Sequence, residues 1–507
     1  MKENTFLLIN CRARCTLSPD GIPEIILLHT ADLIAPILSI LFKVSLEKGH
    51  YPKRLKLTFV SPIHKSGSKS NIRNYRGVAV MSPIGKIFDK IVHNSLSKLI
   101  RGSISIHQHG FMPKRSTTSI LLEFTNTIIE NIENRSQTDC IYTDFTKAFD
   151  RVQTKILVKK LENIGIIGNI LKWFESSLTG RKQKIKCDGK ISERVIHVLS
   201  GTGQGTSLGG LLFLIVVNDC VPHIKKSNIR LFADDFRIFK EIKSMQDCEQ
   251  LQSDLNSLSE WCKKNLLELN YSKCSILSFT RKKAPTTFRY TLDGEFLPRT
   301  EEVMDLGILM GPQMSFNKHI DIIVSRARAR LGFVMRVCRD FNDPYTLKTI
   351  YCSFVRSILD YCCVIWNPSY NIHISRIESI QKKFVKYALR KLNWNPENAL
   401  PPYEDRCKLI GLETLETRRS NMTIVLAFDL IQNNIETNGI IDRLVFNEPI
   451  RQLRIQRLMI TQTSTTNYSF FKCTNRICRI INQCVCISTA PSRDSLKRQI
   501  KNHTCLS

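Results

Sequence analysis

The chain has 507 residues, of which 42% are hydrophobic and 23% charged. This is the composition of a globular protein, long enough for about two or three domains with cores of their own, and it excludes a largely disordered chain. Lys and Arg number 74 against 45 Asp and Glu, and the net charge of +29 predicts a polyanionic partner, with nucleic acid as the first candidate. A basic protein without such a partner is the simplest alternative.

The N-terminal region indicates whether the chain is secreted or crosses a membrane. "MKENTFLLINCRARC" lacks the apolar core of a signal peptide. Apolar residues between Ile25 and Val44 recur at helical spacing but are interrupted by charged residues and a proline, which predicts an amphipathic helix ending near Gly49 rather than a membrane span. An anionic membrane surface is the runner-up partner, but no lipidation signal or basic amphipathic helix supports it. We therefore expect an intracellular protein with no membrane partner.

Most of the 18 cysteines are scattered, which predicts that they are reduced and buried. Only the C-terminal region gathers them, with one histidine: Cys473, Cys478, Cys484, Cys486, His503 and Cys505. Zinc binding there is an open alternative to simple packing, although the spacing lacks the paired CxxC of most zinc sites.

The first half of the chain predicts a hairpin and two helices. "LTFVSPIHKSGSKSNIRNYRGVAV" (57–80) has β-forming residues on both sides of a basic, Gly- and Ser-rich middle, which predicts a hairpin with a cationic tip. "MSPIGKIFDKIVHNSLSKLI" and "TSILLEFTNTIIENIENR" then have apolar residues at helical spacing. A mobile tip that carries Lys65, Arg73 and Arg76 could close over a triphosphate, and a solvated charged loop is the alternative.

Acidic residues end two β runs farther along. "IYTD" ends at Asp144, and "LFADD" places Asp234 and Asp235 in a tight turn between two β runs. If these strands are neighbours, three carboxylates meet at one sheet edge, where one or two divalent cations would relieve their repulsion; oxygen ligands suit Mg²⁺. The alternatives are a solvated turn for the Asp pair and a helix N-cap for Asp144.

Between these acids lies a glycine-punctuated segment, "SGTGQGTSLGG" (200–210). Its glycines around Gln204 permit close backbone approach to a ligand, but it is not a Walker A loop because no Gly-Lys-Ser/Thr follows. A flexible linker is the alternative, although the apolar run after it favours a structured loop before a helix. Irregular alternation of strands and helices predicts an α+β domain, and helical patterns dominate from about Asn317.

The order of these segments carries a resemblance. From Ser18 to about Ser420 the chain resembles the reverse transcriptase of non-LTR retrotransposons, most closely the jockey-like group. "SPDGIP" is similar to the entry motif, and "YPKRLKLTFVSPIHKSGSKSNIRNYRGVAVMSPIGKIFDKIV" and "QHGFMPKRSTTSIL" to the finger motifs. "IYTDFTKAFDRV", "GTGQGTSLGGLLFLIVVND" and "LFADD" resemble motifs A, B and C. "LELNYSKCSILSF" and "EVMDLGILM" resemble the later palm motifs, and "YCSFVRSILDYCCVIWNP" and "EDRCKLIGLETLETRRS" resemble the thumb region and the segment after it.

The resemblance implies a catalytic site. Asp144, Asp234 and Asp235 would be the catalytic, metal-binding carboxylates, joined by the backbone carbonyl of Phe145. Mg²⁺ would be the cofactor, with Mn²⁺ as a possible substitute.

The resemblance also implies ligand contacts. For the incoming dNTP, Lys65 and Arg76 would bind the triphosphate, Gln204 would contact the nucleotide, and Phe149 would crowd the sugar 2′ position. The residues implied in nucleic-acid binding are Lys114, Arg115, Arg181, Arg326, Arg328 and Arg330.

The implied fold is an α+β right-hand polymerase with fingers, a palm built on an antiparallel sheet, a helical thumb, and a mainly helical, basic C-terminal extension. We expect an N-terminal segment and fingers at 1–135, the palm with motifs A to E at 136–312, and the helical thumb and connection at 313–435. Residues 436–507 would form a basic, cysteine-containing tail of unknown role.

The implied function is that of an RNA-directed DNA polymerase that adds dNTPs to a primer 3′-hydroxyl by two-metal nucleotidyl transfer. Its partners would be an RNA template, a DNA primer and a retrotransposon ribonucleoprotein, in the nucleus or the cytoplasm. A group II intron maturase is a less fitting polymerase. From another class, a catalytically silent RNA-binding or ribonucleoprotein scaffold protein on the same fold is the alternative.

The sequence departs from the family at three positions where the family usually has proline. This chain has glycine there: Gly77, Gly203 and Gly210. Glycine in their place is expected to loosen loops that should be preorganised and to lower activity. The family carries an endonuclease before the polymerase, whereas this chain begins near the first polymerase motif. We therefore expect a truncated copy or a fragment of a longer reading frame.

Overall fold

The structure is a computed structural model that describes residues 18–65, 67–391, 400–444, 459–460, 473–483 and 490–502. The helices up to residue 264 are α1 (Glu24–His29), α2 (Ala31–Glu47), α3 (Pro83–Ile100), α4 (Thr117–Glu133), α5 (Ala148–Arg151), α6 (Thr154–Asn163), α7 (Gly168–Leu178), α8 (Ser207–Asn218) and α9 (Met245–Lys264). The later helices are α10 (Asn317–Val337), α11 (Pro344–Tyr351), α12 (Ser357–Asp360), α13 (Cys363–Trp366), α14 (Asn371–Lys391), α15 (Tyr403–Leu409), α16 (Leu415–Ile431), α17 (Cys473–Gln483) and α18 (Arg493–Asn502).

The strands form two larger sheets and two short hairpins. They are β1 (Leu57–His64), β2 (Tyr75–Val80), β3 (Gln137–Thr143), β4 (Arg181–Cys187), β5 (Lys190–Ile191), β6 (Ile196–Val198), β7 (Asn228–Phe232), β8 (Asp235–Ile242), β9 (Ser275–Phe279), β10 (Thr291–Leu292), β11 (Glu295–Phe296), β12 (Val303–Asp305) and β13 (Ile308–Met310). We call the sheet of β2, β1, β4, β5 and β6 the finger sheet, and the sheet in the order β7-β8-β3-β9 the palm sheet.

The finger sheet is built from two distant parts of the chain. The predicted hairpin is confirmed, because β1 and β2 pair antiparallel from Phe59 with Val80 to His64 with Tyr75. β1 also pairs in parallel with β4, where Leu57 lies opposite Lys182, and β5 and β6 each pair with β4. The hairpin therefore depends on residues about a hundred positions later for its second neighbour.

The palm sheet is antiparallel throughout and covered on both faces. Alternate residues of β3 face different cores, as the two-residue period of a strand requires. Ile141 belongs to a core with α3 and α6 to α9, whereas Cys140 and Tyr142 belong to a second core with α4, α10 and the later helices. β3 is buried along its whole length, so its register is strongly specified.

Helix starts in this region have clear local causes. Ser82 caps α3, with Pro83 in the first turn, and Ser116 forms a capping box with Ser119 at α4. Thr206 accepts a hydrogen bond from the Gly209 N–H at 2.9 Å and begins α8. Residues 208–217 of α8 are buried on every side, as expected for a helix that is apolar all round.

Segments on the two sides of the predicted boundary at residue 135 contact each other in both larger sheets. β4 to β6 fall within the range predicted for the palm, yet they complete the finger sheet. α4 falls within the range predicted for the fingers, yet it packs against β3 and β7 of the palm sheet. The boundary at residue 135 therefore separates segments that the fold interleaves, because pairing between distant strands leaves no local signal in the sequence.

The predicted helical regions at both ends are confirmed where the structure describes them. The helix expected before Gly49 is present as α1 and α2, with Pro36 inside α2, and helices dominate from Asn317 onward. Cys473 and Cys478 are buried in α17, whereas Cys484, Cys486, His503 and Cys505 lie outside the described residues. Among the helices of the described residues, none combines the length and apolar character needed to cross a bilayer.

Asp89 joins the fingers to the start of α8. Its carboxylate lies on α3 and accepts the Leu208 N–H at 3.0 Å, and burial raises the pKa of Asp89 to about 6, against the opposing effect of that hydrogen bond. The ordinary pKa of Asp in an unfolded chain is about 3.9. The folded protein therefore holds this proton more tightly than the unfolded chain does, and the contribution of Asp89 to stability falls as the pH rises from about 4 to about 6.

We expect Asp89→Asn to remove this part of the pH dependence, because Asn still presents an oxygen to the Leu208 N–H without a buried charge. At pH 7 the variant should be more stable than the parent by at most about 2–3 kcal/mol. Urea unfolding at pH 4.5 and 7 measures the difference. Equal stability changes at the two pH values would contradict the assignment.

Candidate active site

Three aspartates meet at one edge of the palm sheet. Phe232 pairs with Asp235, so Ala233 and Asp234 form the turn between β7 and β8. Thr143, the last residue of β3, lies opposite Phe236 of β8. Continuing this register by one residue places Asp144 beside Asp235, as the sequence predicts for neighbouring strands.

The charges of this edge interact. Burial raises the pKa of Asp234, and the Asp144 carboxylate raises it further. Burial and the neighbouring Asp234 raise the pKa of Asp235 to about 6. Arg76 and Lys65 of the hairpin tip act in the opposite direction on Asp234 and lower its pKa. The cationic tip therefore acts on the acidic edge, and burial is the main reason that the pKa values of Asp234 and Asp235 are raised.

Lys273 lies against this edge, and the sequence analysis missed it. Its Nζ is 2.6 Å from Asp144 Oδ2, and the backbone nearby is fixed because the Asn270 N–H donates to the Asp144 carbonyl at 2.7 Å. The signal was present in "LELNYSKCSILSF", which resembles a palm motif but gave no role to its lysine.

The donor set fits a hard divalent cation, because it consists of carboxylate oxygens that repel one another. Within the part of the chain that the structure describes, no three His, Cys, Asp or Glu side chains converge closely enough to hold a metal ion. Asp144 is turned to Lys273 instead, so a divalent cation at this edge would compete with the lysine ammonium for Asp144.

Two phenylalanines follow Asp144. The Phe145 side chain is buried, with its ring 5.0 Å from that of Phe236. The Phe149 ring, at α5, stacks on Phe213 of α8 at 4.3 Å between centroids and meets Phe111 edge-on at 6.0 Å. These contacts fix the half-buried Phe149 ring between α8 and the segment that contains "QHGF".

Gln204 joins the glycine segment to the hairpin. The Ala79 N–H donates to the Gln204 carbonyl at 2.9 Å. In the amide orientation that satisfies both neighbours, the Gln204 side chain donates to the Gly77 carbonyl at 3.2 Å and accepts from Arg76 Nε at 3.3 Å. Lys65 is exposed at the other end of the tip, where its N–H donates to the Asn74 carbonyl at 2.8 Å. The predicted nucleotide contacts Lys65, Arg76 and Gln204 therefore belong to one hairpin and the loop bound to it.

The predicted nucleic-acid contacts divide into two groups. Arg326, Arg328 and Arg330 are exposed on α10. Arg181 is instead bonded within the protein: Nη2 donates to the carbonyls of Ser200 at 2.7 Å and Gly201 at 2.5 Å, and burial lowers its pKa. Arg181 thus holds the glycine segment against β4, and its contact with nucleic acid stays a prediction.

Arg115 and Lys114 are bonded within the protein as well. Arg115 Nη1 donates to the carbonyls of Ser105 at 2.9 Å and Gln108 at 2.8 Å, and its Nε lies 3.2 Å from Glu436 Oε2. Lys114 Nζ donates to the Asn433 carbonyl at 2.7 Å. Both residues fasten the segment after α16 to the region before α4.

The three glycines do not all lie in loops, so the prediction of loosened loops is wrong at two of them. Gly77 lies in β2 opposite Pro62, and Gly210 lies inside α8, where a Cβ would come within 2.9 Å of the Phe111 ring. Gly203 does lie in the loop before α8, with φ at +85°. Proline cannot adopt that φ, whereas glycine adopts it readily.

We expect Gly203→Pro to destabilise the protein by roughly 3 kcal/mol or more, because the pyrrolidine ring fixes φ near −65°. Gly203→Ala should cost only about 1 kcal/mol, since alanine can enter the left-handed region at a penalty. Urea unfolding of the three proteins measures the order. A proline variant as stable as the parent would show that the loop has a second conformation of similar energy.

An antiparallel sheet with three aspartates at one edge, beneath a cationic hairpin and followed by a basic helical region, is typical of the right-hand polymerase fold. Residues 63–325 match the family model described as reverse transcriptase (RNA-dependent DNA polymerase). The chain belongs to this family, and its fold is accordingly the α+β right-hand fold of fingers, palm and thumb, which confirms the prediction.

Known relatives agree with the family. The chain is 25% identical over 359 residues to the probable RNA-directed DNA polymerase from transposon X-element of Drosophila melanogaster, covering 69% of this chain and 39% of that protein. It is 24% identical over 375 residues to the RNA-directed DNA polymerase from mobile element jockey of Drosophila funebris, covering 71% and 40%. The chain thus spans about two fifths of the length of these relatives. The predicted resemblance to jockey-like non-LTR retrotransposon polymerases is confirmed.

Among solved structures, the chain is similar to an apo telomerase from Candida tropicalis lacking its C-terminal domain. The TM-score is 0.37 with 13% identity, over 54% of this chain and 59% of that one.

Reverse transcriptases generally use divalent metal ions, an RNA template, a nucleic-acid primer and dNTPs.

Proposed function

We propose that the chain is the RNA-directed DNA polymerase of a non-LTR retrotransposon, and that it extends a DNA primer along an RNA template. The observation that carries this proposal is the register of β3, β7 and β8, which brings Asp144, Asp234 and Asp235 to one edge. The cations that lower the pKa of Asp234 come from the finger hairpin. This arrangement suits a substrate that brings both phosphate charge and metal ions.

The three aspartates and the Phe145 carbonyl would hold Mg²⁺, with Mn²⁺ as a possible substitute. When bound, the metal ions lower the pKa of the primer 3′-hydroxyl and neutralise charge on the departing pyrophosphate. The protein's own part is to present the carboxylates on a rigid sheet edge. Lys273 keeps Asp144 paired until a cation competes for it.

The incoming dNTP would lie between the hairpin and the palm. Arg76 and Lys65 would bind its triphosphate, because both act electrostatically on Asp234 from the finger side. Gln204 already bonds to Arg76 and Gly77, so it would meet the nucleotide from the same side. The ring of Phe149, fixed by Phe213, would crowd a ribose 2′-hydroxyl.

The template and primer would follow the basic surface of the later helices. Arg326, Arg328 and Arg330 are exposed on α10 and are the first phosphate contacts that we propose. Lys114, Arg115 and Arg181 have internal hydrogen bonds with which a phosphate would compete. Such contacts are independent of sequence and weaken with salt. A ribonucleoprotein in the nucleus or cytoplasm would be the working assembly.

In domain terms, we infer that the fingers comprise the N-terminal helices with β1, β2 and β4 to β6. The palm comprises the palm sheet with α4, α8 and α9, and the thumb begins at α10. The role of residues 436–507 stays open, except that Glu436 pairs with Arg101 and Arg115.

We expect the purified protein to extend oligo(dT) on poly(rA) with dTTP and Mg²⁺, and Asp234→Asn to reduce extension by at least about a thousandfold, the order of magnitude lost when a key charge-stabilising group is removed. Asp32→Asn, on the exposed side of α2, is the matched control and should keep full activity. Extension that survives Asp234→Asn would overturn the metal site. Salt-dependent RNA binding without any extension would favour the silent RNA-binding alternative.

We expect Phe149→Val to relax sugar discrimination, because a smaller side chain leaves room for a 2′-hydroxyl. The ratio of kcat/KM for dTTP to that for UTP should fall on the order of tenfold or more. The ratio serves as its own control for any loss of folded protein when the Phe213 contact is removed. An unchanged ratio would show that another side chain excludes ribonucleotides.

A further inference from the structure

We propose that Gln108 is a positioning residue for the catalytic turn: its buried side chain holds Ala233 and Asp234 in the conformation that directs the aspartate pair to the sheet edge. This inference rests on the proposed polymerase function for its consequence, but not for its geometry. Gln108 belongs to "QHGF", a motif to which the sequence analysis gave no chemical role.

The turn needs an external hydrogen-bond acceptor. Ala233 has φ at +56°, the left-handed region that non-glycine residues seldom adopt. It is 5% exposed, so water does not serve its N–H freely. Gln108 Oε1 accepts the Ala233 N–H at 3.0 Å. The hydrogen bond therefore satisfies a buried donor at the strained residue directly before Asp234.

The side-chain oxygen of Gln108 has a second hydrogen-bond partner, and its backbone is fixed. Its side chain is 1% exposed, and the same Oε1 accepts the Gly110 N–H at 2.8 Å. The backbone on either side is bound to β7, because the His109 N–H donates to the Leu231 carbonyl at 2.8 Å and the Leu231 N–H donates to the His107 carbonyl at 3.0 Å. Gln108 thus forms a short parallel bridge with Leu231, which lies two residues before Ala233 near the end of β7. The bridge places the Gln108 side-chain oxygen beside the turn.

Gly110 completes the fit. A Cβ at this position would lie 2.4 Å from the Ala233 nitrogen, a distance that atoms do not tolerate. The segment and the turn thus touch backbone to backbone. Only the absence of a side chain at Gly110 allows Gln108 to reach the Ala233 N–H.

A buried ionic group also binds the segment that contains Gln108 to α4 and β7. Glu123 of α4 lies 3.3 Å from His109 Nε2 and 2.9 Å from Arg230 Nε on β7, and all three are almost fully buried. His109 Nδ1 also lies 2.8 Å from Ser119 Oγ. The support is therefore tied both to the strand that carries the turn and to the helix across the sheet.

The chemistry explains why a neutral amide suits the position. Asp234 and Asp235 are neighbours in the turn that Gln108 contacts, so two negative charges already lie close together there. Glutamate at position 108 would offer the same acceptor oxygen but would bring one more negative charge beside the turn. Glutamine accepts both N–H groups without that charge.

The test compares Gln108→Met, which keeps volume but loses the acceptor, with Gln108→Glu, which keeps the acceptor but adds charge. Gln381→Met is the control, because Gln381 is equally buried and hydrogen-bonded in the thumb, away from the turn. Hydrogen–deuterium exchange of the peptide containing Ala233 is read beside primer extension. Gln108→Asn, which shortens the side chain by one methylene, serves in place of Gln108→Met if the latter does not fold.

We expect Gln108→Met or Gln108→Asn to raise exchange at residues 232–235 at least tenfold and to lower kcat at least tenfold with little change in KM for dTTP. Gln108→Glu should keep the exchange protection and still lose kcat, and Gln381→Met should change neither at matched stability. Unchanged exchange in the folded Gln108→Met or Gln108→Asn variant would overturn the inference. If the parent does not extend primers, the polymerase proposal fails while the exchange result still decides the role of Gln108.

Discussion

The strand register that brings Asp144, Asp234 and Asp235 to one edge of the palm sheet is the constraint on which the site depends. That register is strongly specified because both faces of the sheet are buried. A slip of one residue in β3 would exchange its two sets of buried side chains between the cores. The free-energy cost of that exchange keeps the strand register fixed. The fixed register in turn keeps the three aspartates at the same sheet edge. Lys273 and the finger cations then offset part of the repulsion among these aspartates from outside the sheet.

The basic residues near the site form two groups. One group is hydrogen-bonded within the protein, and the other is exposed to solvent. Arg181 and Arg115 satisfy backbone carbonyls and are largely withdrawn from solvent, so their charge is used to fix loops. Arg76 and Lys65 remain exposed at the hairpin tip. The net charge of +29 therefore overstates the cationic surface available to a polyanion, and position in the fold decides which cations can serve it.

Local sequence predicted the parts of the site that local chemistry creates. The hairpin at 57–80, the strands just before Asp144 and Asp234, and the helix after the glycine segment all have their own local patterns. The pairing of β4 with β1, the packing of α4 on the palm and the internal bonds of Arg181 could not be predicted, because each joins residues far apart in the chain. Gly203 shows a further limit of prediction from sequence. The family has proline at this position, which suggested that glycine would loosen the loop. The φ of Gly203 is instead one that proline could not adopt.

The parallel pairing of β1 with β4 has a consequence for how this polypeptide could be divided. A break near residue 135 would leave β1 and β2 on one fragment and β4 to β6 on the other, with open strand edges on both. Open edges favour association with whatever strand is nearest. The two pieces would be expected to pair with each other again when mixed, or to aggregate when kept apart. The segments on the two sides of residue 135 therefore depend on each other for their strand partners.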